Sequence, residues 1–334
     1  MAMQFLSDNA ATVHPAVWRA LLAADAPDPP YDGDALSRRL DDAFAELFGR
    51  PCAVLWVASG TAANCLALAS MAPPHGAVIC HREAHIETSE GGAPGFFTHG
   101  AKLLLAEGDG GRLSPETIAA TMPERKDVHW VQPQAISITQ ATEMGRVYAP
   151  EEVAAIGAFA REHALWLHMD GARFANAVAF LGCTPAALTC DAGVHALSFG
   201  FVKNGGMGAE ALVFFDERLA DIARLRRKRA GHLQSKGRYL AAQLLALLED
   251  GLWLDNARAA NAAAAIIAEG AGTRLLQPVE GNQLFLRLDE AERTVLRGRG
   301  FGFYDWGENG GRIVTAWDSK PEDCAAFAAA IAGM

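Results

Sequence analysis

The sequence predicts an α/β protein: a mostly parallel central sheet covered by helices, followed by a small C-terminal α+β unit. Short, nearly continuous apolar runs alternate with longer stretches of helical composition, the pattern of strands covered on both faces by crossover helices. Hydrophobic residues make up 51% of the 334, enough for a large core. Length sets the division, because at ~150 residues per domain the chain holds about two units.

The elements follow in order. Residues 53–58 (Ala-Val-Leu-Trp-Val-Ala) read as a buried strand that runs into Ser59-Gly60-Thr61 and a helix-compatible stretch to Met71. Residues 76–80 and 136–139 are further strand candidates. Pro150 opens a helix to His163, with Glu151 and Glu152 in its first turn. Residues 165–169 form a strand ending at Asp170, and residues 196–199 and 211–215 form two more. From 216 to 270 the chain is rich in Arg, Leu and Ala and predicts one long helical stretch. A strand at 281–288, a helix, a Gly-rich segment, a strand at 312–317 and a closing helix from about Pro321 complete the small unit. The expected division is an N-terminal arm (1–30), a large domain (31–249) and a small C-terminal domain (250–334).

Charge narrows the function. Lys and Arg total 29 against 39 Asp and Glu, a net −10, which argues against a binder of nucleic acid or of a membrane surface. The first nine residues have neither a basic nor an apolar segment of the kind that targets a chain for export. The most uniform apolar run, 262–268, is far below the ~18–20 residues that cross a bilayer. Six cysteines are scattered without a C-x-x-C pair, so the expected protein is reduced and cytoplasmic. Only six lysines occur, which gives weight to any one of them that does chemistry.

Four segments carry such chemistry. Lys203 stands just beyond a strand in Ser-Phe-Gly-Phe-Val-Lys203-Asn-Gly-Gly-Met-Gly, bracketed by core on both sides. A surface turn has this composition too, but a lysine desolvated against a sheet end has a lowered pKa and attacks carbonyls. Asp170, in His168-Met-Asp-Gly-Ala-Arg173, sits at the C-terminal end of a strand, where open α/β sheets bind ligands. It either caps the next helix or faces the ring nitrogen of a cofactor, the partner that keeps a pyridine ring protonated. Ser59-Gly60-Thr61 between strand and helix offers backbone N–H groups to a phosphate, without matching the P-loop or the dinucleotide fingerprint. His85 stands among Glu83, Glu87 and Glu90, yet no metal-ligand spacing is present and no metal is expected.

Together these segments resemble the threonine aldolase (β-eliminating lyase-like) family of pyridoxal-phosphate enzymes. The likeness is carried by Leu6-Ser-Asp-Asn9, Ser59-Gly-Thr-Ala-Ala-Asn64, Ala84-His-Ile-Glu-Thr88, Thr139-Gln-Ala-Thr-Glu143 with Gly145, His168 to Arg173, Ser198 to Gly205 and Gly208-Ala-Glu210. It implies the fold-type-I pyridoxal-phosphate transferase architecture and cleavage of threonine, allo-threonine or phenylserine to glycine and an aldehyde. It also implies that Lys203 attaches the cofactor, Asp170 pairs with its ring nitrogen, Gly60 and Thr61 hold its phosphate, and His85 stacks on its ring. Arg173 would lie beside it, Ser7 and Arg312 would clamp the substrate carboxylate, and His129 would be a second active-site histidine. Tyr31 would approach the site of a neighbouring subunit in a homodimer or homotetramer with its sites at the subunit interface. The basic run Arg226 to Arg229, with Lys236, is a solvated helix face or an aid to a phosphate across that interface. Val202 and Gln132 depart from the family pattern, which has a hydroxyl residue and a lysine there. Alternatives are β-elimination or transamination on the same fold, and a catalytically silent binding protein.

Overall fold

Seven strands form the central sheet of the computed structural model, which describes residues 3–334. Their order is Ala53–Val57, Glu210–Phe214, Ala196–Phe199, Trp166–Gly171, Gln132–Thr139, Gly76–His81 and Lys102–Ala106. Every residue of the Ala53–Val57, Gly76–His81 and Ala196–Phe199 strands is buried, as the continuous apolar runs require of a sheet covered on both faces. All neighbours pair in parallel except Glu210–Phe214, which runs antiparallel to the strands on both its sides. That reversal follows from connection length. A parallel return needs a crossover of a dozen or more residues, whereas only ten separate Phe199 from Glu210. Asp170 pairs with Thr139 and Ser198, and Glu210 pairs with Val57. One edge of the sheet therefore collects the ends that carry the candidate residues.

Several expectations need correction. Lys102–Ala106 is a strand the sequence expectations lack: its apolar run, Leu103 to Ala106, is short, and as a sheet edge the strand is only partly buried. The strand expected at 136–139 begins at Gln132, its start disguised by Pro133, which sits beside a register shift at Ala77 and Val78. The strand expected at 312–317 spans Gly310–Val314 instead. The single helical stretch expected over 216–270 is three helices, Glu217–Arg229, Arg238–Leu248 and Leu252–Ala271. Chain reversals at Gly231 (φ 79°) and Gly251 (φ 72°) separate them, conformations that cost glycine little.

A second, antiparallel sheet joins Tyr304–Asp305, Gly310–Val314 and Gln283–Arg287. Its own apolar cluster includes Leu284, Leu286, Ile313 and Phe327. The start of the chain is stitched to this unit: Met3–Gln4 pairs with Phe301–Gly302, and the Phe5 ring lies 5.2 Å from that of Phe327. Met1 and Ala2, the first residues of the stretch read for a targeting signal, lie outside the described residues. Among those described, no helix is long and apolar enough to cross a membrane, and all six cysteines are unpaired.

Candidate active site

Lys203 occupies a single 3₁₀ turn, Val202–Asn204, that ends in Gly205 at φ 101°. A side chain at Gly205 would be strained by that φ, and its Cβ would lie 3.1 Å from His14 Cβ. The turn is held from three directions. His14 N–H donates to Gly205 O (2.9 Å), Asn204 Nδ2 donates to Trp253 O (2.9 Å) and Asn256 Nδ2 donates to Asn204 O (2.8 Å). Lys203 lines a cavity of about 250 Å³ together with Gly60, Thr61, Asn64, His85 and Asp170. Burial, followed by the Arg173 guanidinium, holds Lys203 below the ordinary lysine range; Asp8, Glu143 and Asp170 oppose them through space. A larger groove of about 640 Å³ runs between Leu36, Leu47, Leu245 and Trp253, but no lysine, histidine or hydroxyl lines it.

Asp170 ends its strand with both oxygens engaged. Oδ1 accepts Ala172 N–H (3.1 Å) and Oδ2 accepts Asn64 Nδ2 (2.9 Å). The same Asn64 amide donates to Glu90 Oε1 (2.9 Å), which also accepts His85 Nδ1 (2.8 Å). This hydrogen bond to Glu90 raises the His85 pKa against the opposing effect of its burial. His85, Glu90 and Asp170 offer ligand atoms within 4.8 Å of one another, but the Asn64 amide lies between the two carboxylates and occupies both. Beneath Asp170, His168 is fully buried with Nδ1 on Ser137 Oγ (2.9 Å) and Nε2 on Ser198 Oγ (3.0 Å). Burial pushes its pKa down to about 4.

The helix Gly60–Met71 begins at the cavity. Ser59 Oγ takes Ala62 N–H and Ser59 O takes Ala63 N–H, so the Gly60 and Thr61 amides are left free for an anion. A Cβ placed on Gly60 would meet nothing within 4 Å, which leaves open space where a ligand would approach.

The remaining expected residues fall into two sets: Arg173 acts through space on both Lys203 and Arg312, whereas His129 and Tyr31 lie away from the cavity of their own chain. Arg173 forms a buried bidentate pair with Asp8 (2.8 and 2.9 Å), and Asn282 Nδ2 also donates to Asp8 (2.9 Å). Ser7 accepts Asn9 N–H and lies beside that pair. Arg312 is half-buried in the small sheet, where burial and Arg173 lower its pKa while Glu143, Asp8 and Tyr304 raise it. His129 is exposed on the segment before Gln132 and does not line the cavity of its own chain. Nor does Tyr31, which lies under Lys228, with Nζ 4.6 Å from the ring centre. The expected basic face is only partly solvated. Arg227 is buried over Trp56 (3.8 Å) and paired with Asp32 (2.8 Å), while Lys236 is exposed. Val202 contributes its N–H to Glu210, and Gln132 Nε2 donates to Arg125 O and Trp130 O. Asp8, Asn9, Asn64, Glu90 and Glu210 stand inside the segments read from sequence. Only the fold reveals their parts: Asn64 and Asp8 meet partners 106 and 165 residues away, and Glu90 and Glu210 reach nearby residues only because of how the chain turns.

A sequence model of the beta-eliminating lyases matches residues 4–291. The chain belongs to the beta-eliminating lyase family. It is 45% identical over 325 residues to the low specificity L-threonine aldolase of Pseudomonas sp. (strain NCIMB 10558), covering 96% of this chain and 94% of that protein. A solved threonine aldolase from Leishmania major superposes with TM-score 0.92 at 28% identity, covering 98% of both chains. An aspartate aminotransferase from Rhodobacter sphaeroides, at 15% identity and TM-score 0.74, spans 100% of this chain and 93% of its own, and shares the fold alone. This beta-eliminating lyase thus has the fold-type-I architecture of pyridoxal-phosphate enzymes, and its family uses that cofactor.

Proposed function

We propose that the chain cleaves β-hydroxy-α-amino acids of the threonine type to glycine and an aldehyde. The observation that carries this reading is one cavity shared by Lys203, Asp170, His85 and the free amides of Gly60 and Thr61. The 45% identity to a threonine aldolase supports the choice of reaction. The donor set suits pyridoxal phosphate. Lys203 would hold it covalently, the Gly60 and Thr61 amides its phosphate, Asp170 its ring nitrogen and His85 its ring face. When bound, pyridoxal phosphate supplies the electron sink that no side chain provides.

The chain's own residues do the rest. Arg312 and Ser7 would hold the substrate carboxylate and so fix the substrate's orientation, with Arg173 beside them. His85 is oriented by Glu90 at Nδ1, which leaves Nε2 to take the β-hydroxyl proton directly or through water. Such help is typically worth ~10²–10⁴-fold in rate. His129 and Tyr31, away from the cavity of their own chain, would serve the site of a second subunit in a homo-oligomer. The proposed division is 31–249 for the cofactor and 250–334 for the small domain, with residues 1–30 as an arm. The small sheet's own apolar cluster, from Ala263 onward together with Phe5, supports a separate small unit, while Trp253 and Ala257 pack in the large core.

Borohydride reduction of the yellow protein, with peptide mapping, tests the reading. The adduct is expected on Lys203, and its appearance on any other lysine would refute the assignment. Lys203→Ala should abolish turnover, and Asp170→Ala should weaken cofactor retention. Product analysis separates the reactions: a keto acid with ammonia or pyridoxamine phosphate, in place of glycine and an aldehyde, would overturn the aldolase reading.

A further inference from the structure

Glu210 is a buried carboxyl with no part in the mechanism above. It opens the antiparallel strand opposite Val57, at the sheet edge that carries Asp170 and Lys203, and it lines the same cavity. Its Oε2 accepts two backbone N–H groups in succession, those of Phe201 and Val202 (3.1 Å for Val202), the residues immediately before Lys203. The lysine turn is thus tied on its near side by one carboxylate oxygen and on its far side by His14, Asn204 and Asn256.

We propose that Glu210 is the positioning residue of the Lys203 turn: its carboxylate holds the Phe201 and Val202 amides, directs Lys203 into the cavity and sets the charge that its amine meets. The inference rests on Lys203 being the reactive amine of the proposed function. Charged neighbours come from each side. Lys203 acts from the turn, Asp170 from the strand beyond Ala196–Phe199, two positions away in the sheet, and His85 and Glu90 line the same cavity. Burial raises the Glu210 carboxyl to about 7; the two backbone donors and Lys203 pull it down, and Asp170 pushes it up. An ionised Glu210 favours the ammonium form of Lys203, and a neutral one releases it toward the amine.

The test reads Lys203 directly in the full-length chain, with and without pyridoxal phosphate. Glu210→Gln keeps an acceptor oxygen and removes the charge. Acetic anhydride labelling of Lys203 across pH, followed by peptide mass, should show a lower midpoint in this variant, equivalent to about three- to tenfold more free amine at a given pH. The pH midpoint of the bound cofactor's absorbance should move in the same direction. Glu210→Ala removes the acceptors too, and amide exchange in the 199–206 peptide should then rise about tenfold or more, with recovery in Glu210→Gln. An unchanged labelling midpoint in a normally folded Glu210→Gln protein overturns the proposal. If that variant does not fold, Glu210→Asp decides. The charge stays on a shorter arm, exchange at 199–206 should quicken, and parental exchange would overturn the proposal. Aldolase products missing while the labelling shift holds would refute the reaction and leave this inference standing.

Discussion

Asp8 and Arg173 show how much of the site rests on single side chains. Asp8 is buried, and its carboxyl is held below the usual range because Arg173, Lys203 and Asn282 outweigh the cost of burial. Removing one partner of such a pair leaves an uncompensated charge in the interior, which typically costs ~3–5 kcal/mol. Asp8→Ala should therefore lower unfolding stability by about that amount in urea titrations, with Asp8→Asn less harmful because it keeps an acceptor for Asn282. Equal stability of Asp8→Ala and the parent would contradict this account. The lysine, the aspartate and the free amides were legible in sequence because each stands beside a strand end or a helix start. Asp8 was legible only as part of a motif; its partner lies 165 residues away.

Elements obey the same division between local and distant causes. Helix Pro150–Glu162 announces itself through Pro150 at its first turn and Glu152, whose side chain returns to Ala149 N–H (2.7 Å). Nothing local explains its Gly157. In isolation Gly→Ala in a helix interior gains roughly 1 kcal/mol. Here a Cβ at 157 would stand 2.0 Å from Ala192 O, a backbone atom that cannot step aside cheaply. Gly157→Ala should thus lower the thermal midpoint, and a higher midpoint would refute the close packing. The edge strand Lys102–Ala106 escaped sequence reading for a related reason. Its run of Leu103, Leu104, Leu105 and Ala106 is short and does not alternate, so it matches neither the half-buried pattern of an edge nor a longer buried strand.

Across the whole molecule, two buried groups of opposite sense balance the response to acid. His168 is neutral in the fold with a pKa near 4, so its contribution to stability is complete above about 6.5 and is lost as pH falls through 4. Glu210, raised to about 7, binds its proton more tightly folded than unfolded. Its contribution is complete below about 4.5 and is lost as pH rises through 7. Each is worth about 3 kcal/mol at most. Between pH 4.5 and 6.5 they oppose each other. His168→Gln removes one side, so its unfolding free energy should fall with rising pH relative to the parent, by up to ~1.4 kcal/mol per unit. Urea unfolding at a series of pH values measures this, and identical slopes for the two proteins would rule it out.

The sequence by itself determined the fold class, the main strands and the segments where chemistry collects, because burial on both faces, helix starts and strand ends are properties of neighbouring residues. Tertiary structure alone decided which of those segments meet. Asn64 joins Asp170 to Glu90 and His85, Asp8 neutralises Arg173, and Glu210 grips the lysine turn across an antiparallel return. Hydrogen bonds and charges act over a few ångströms of space, and only the fold fixes which positions, from five to 165 residues apart, come within that reach.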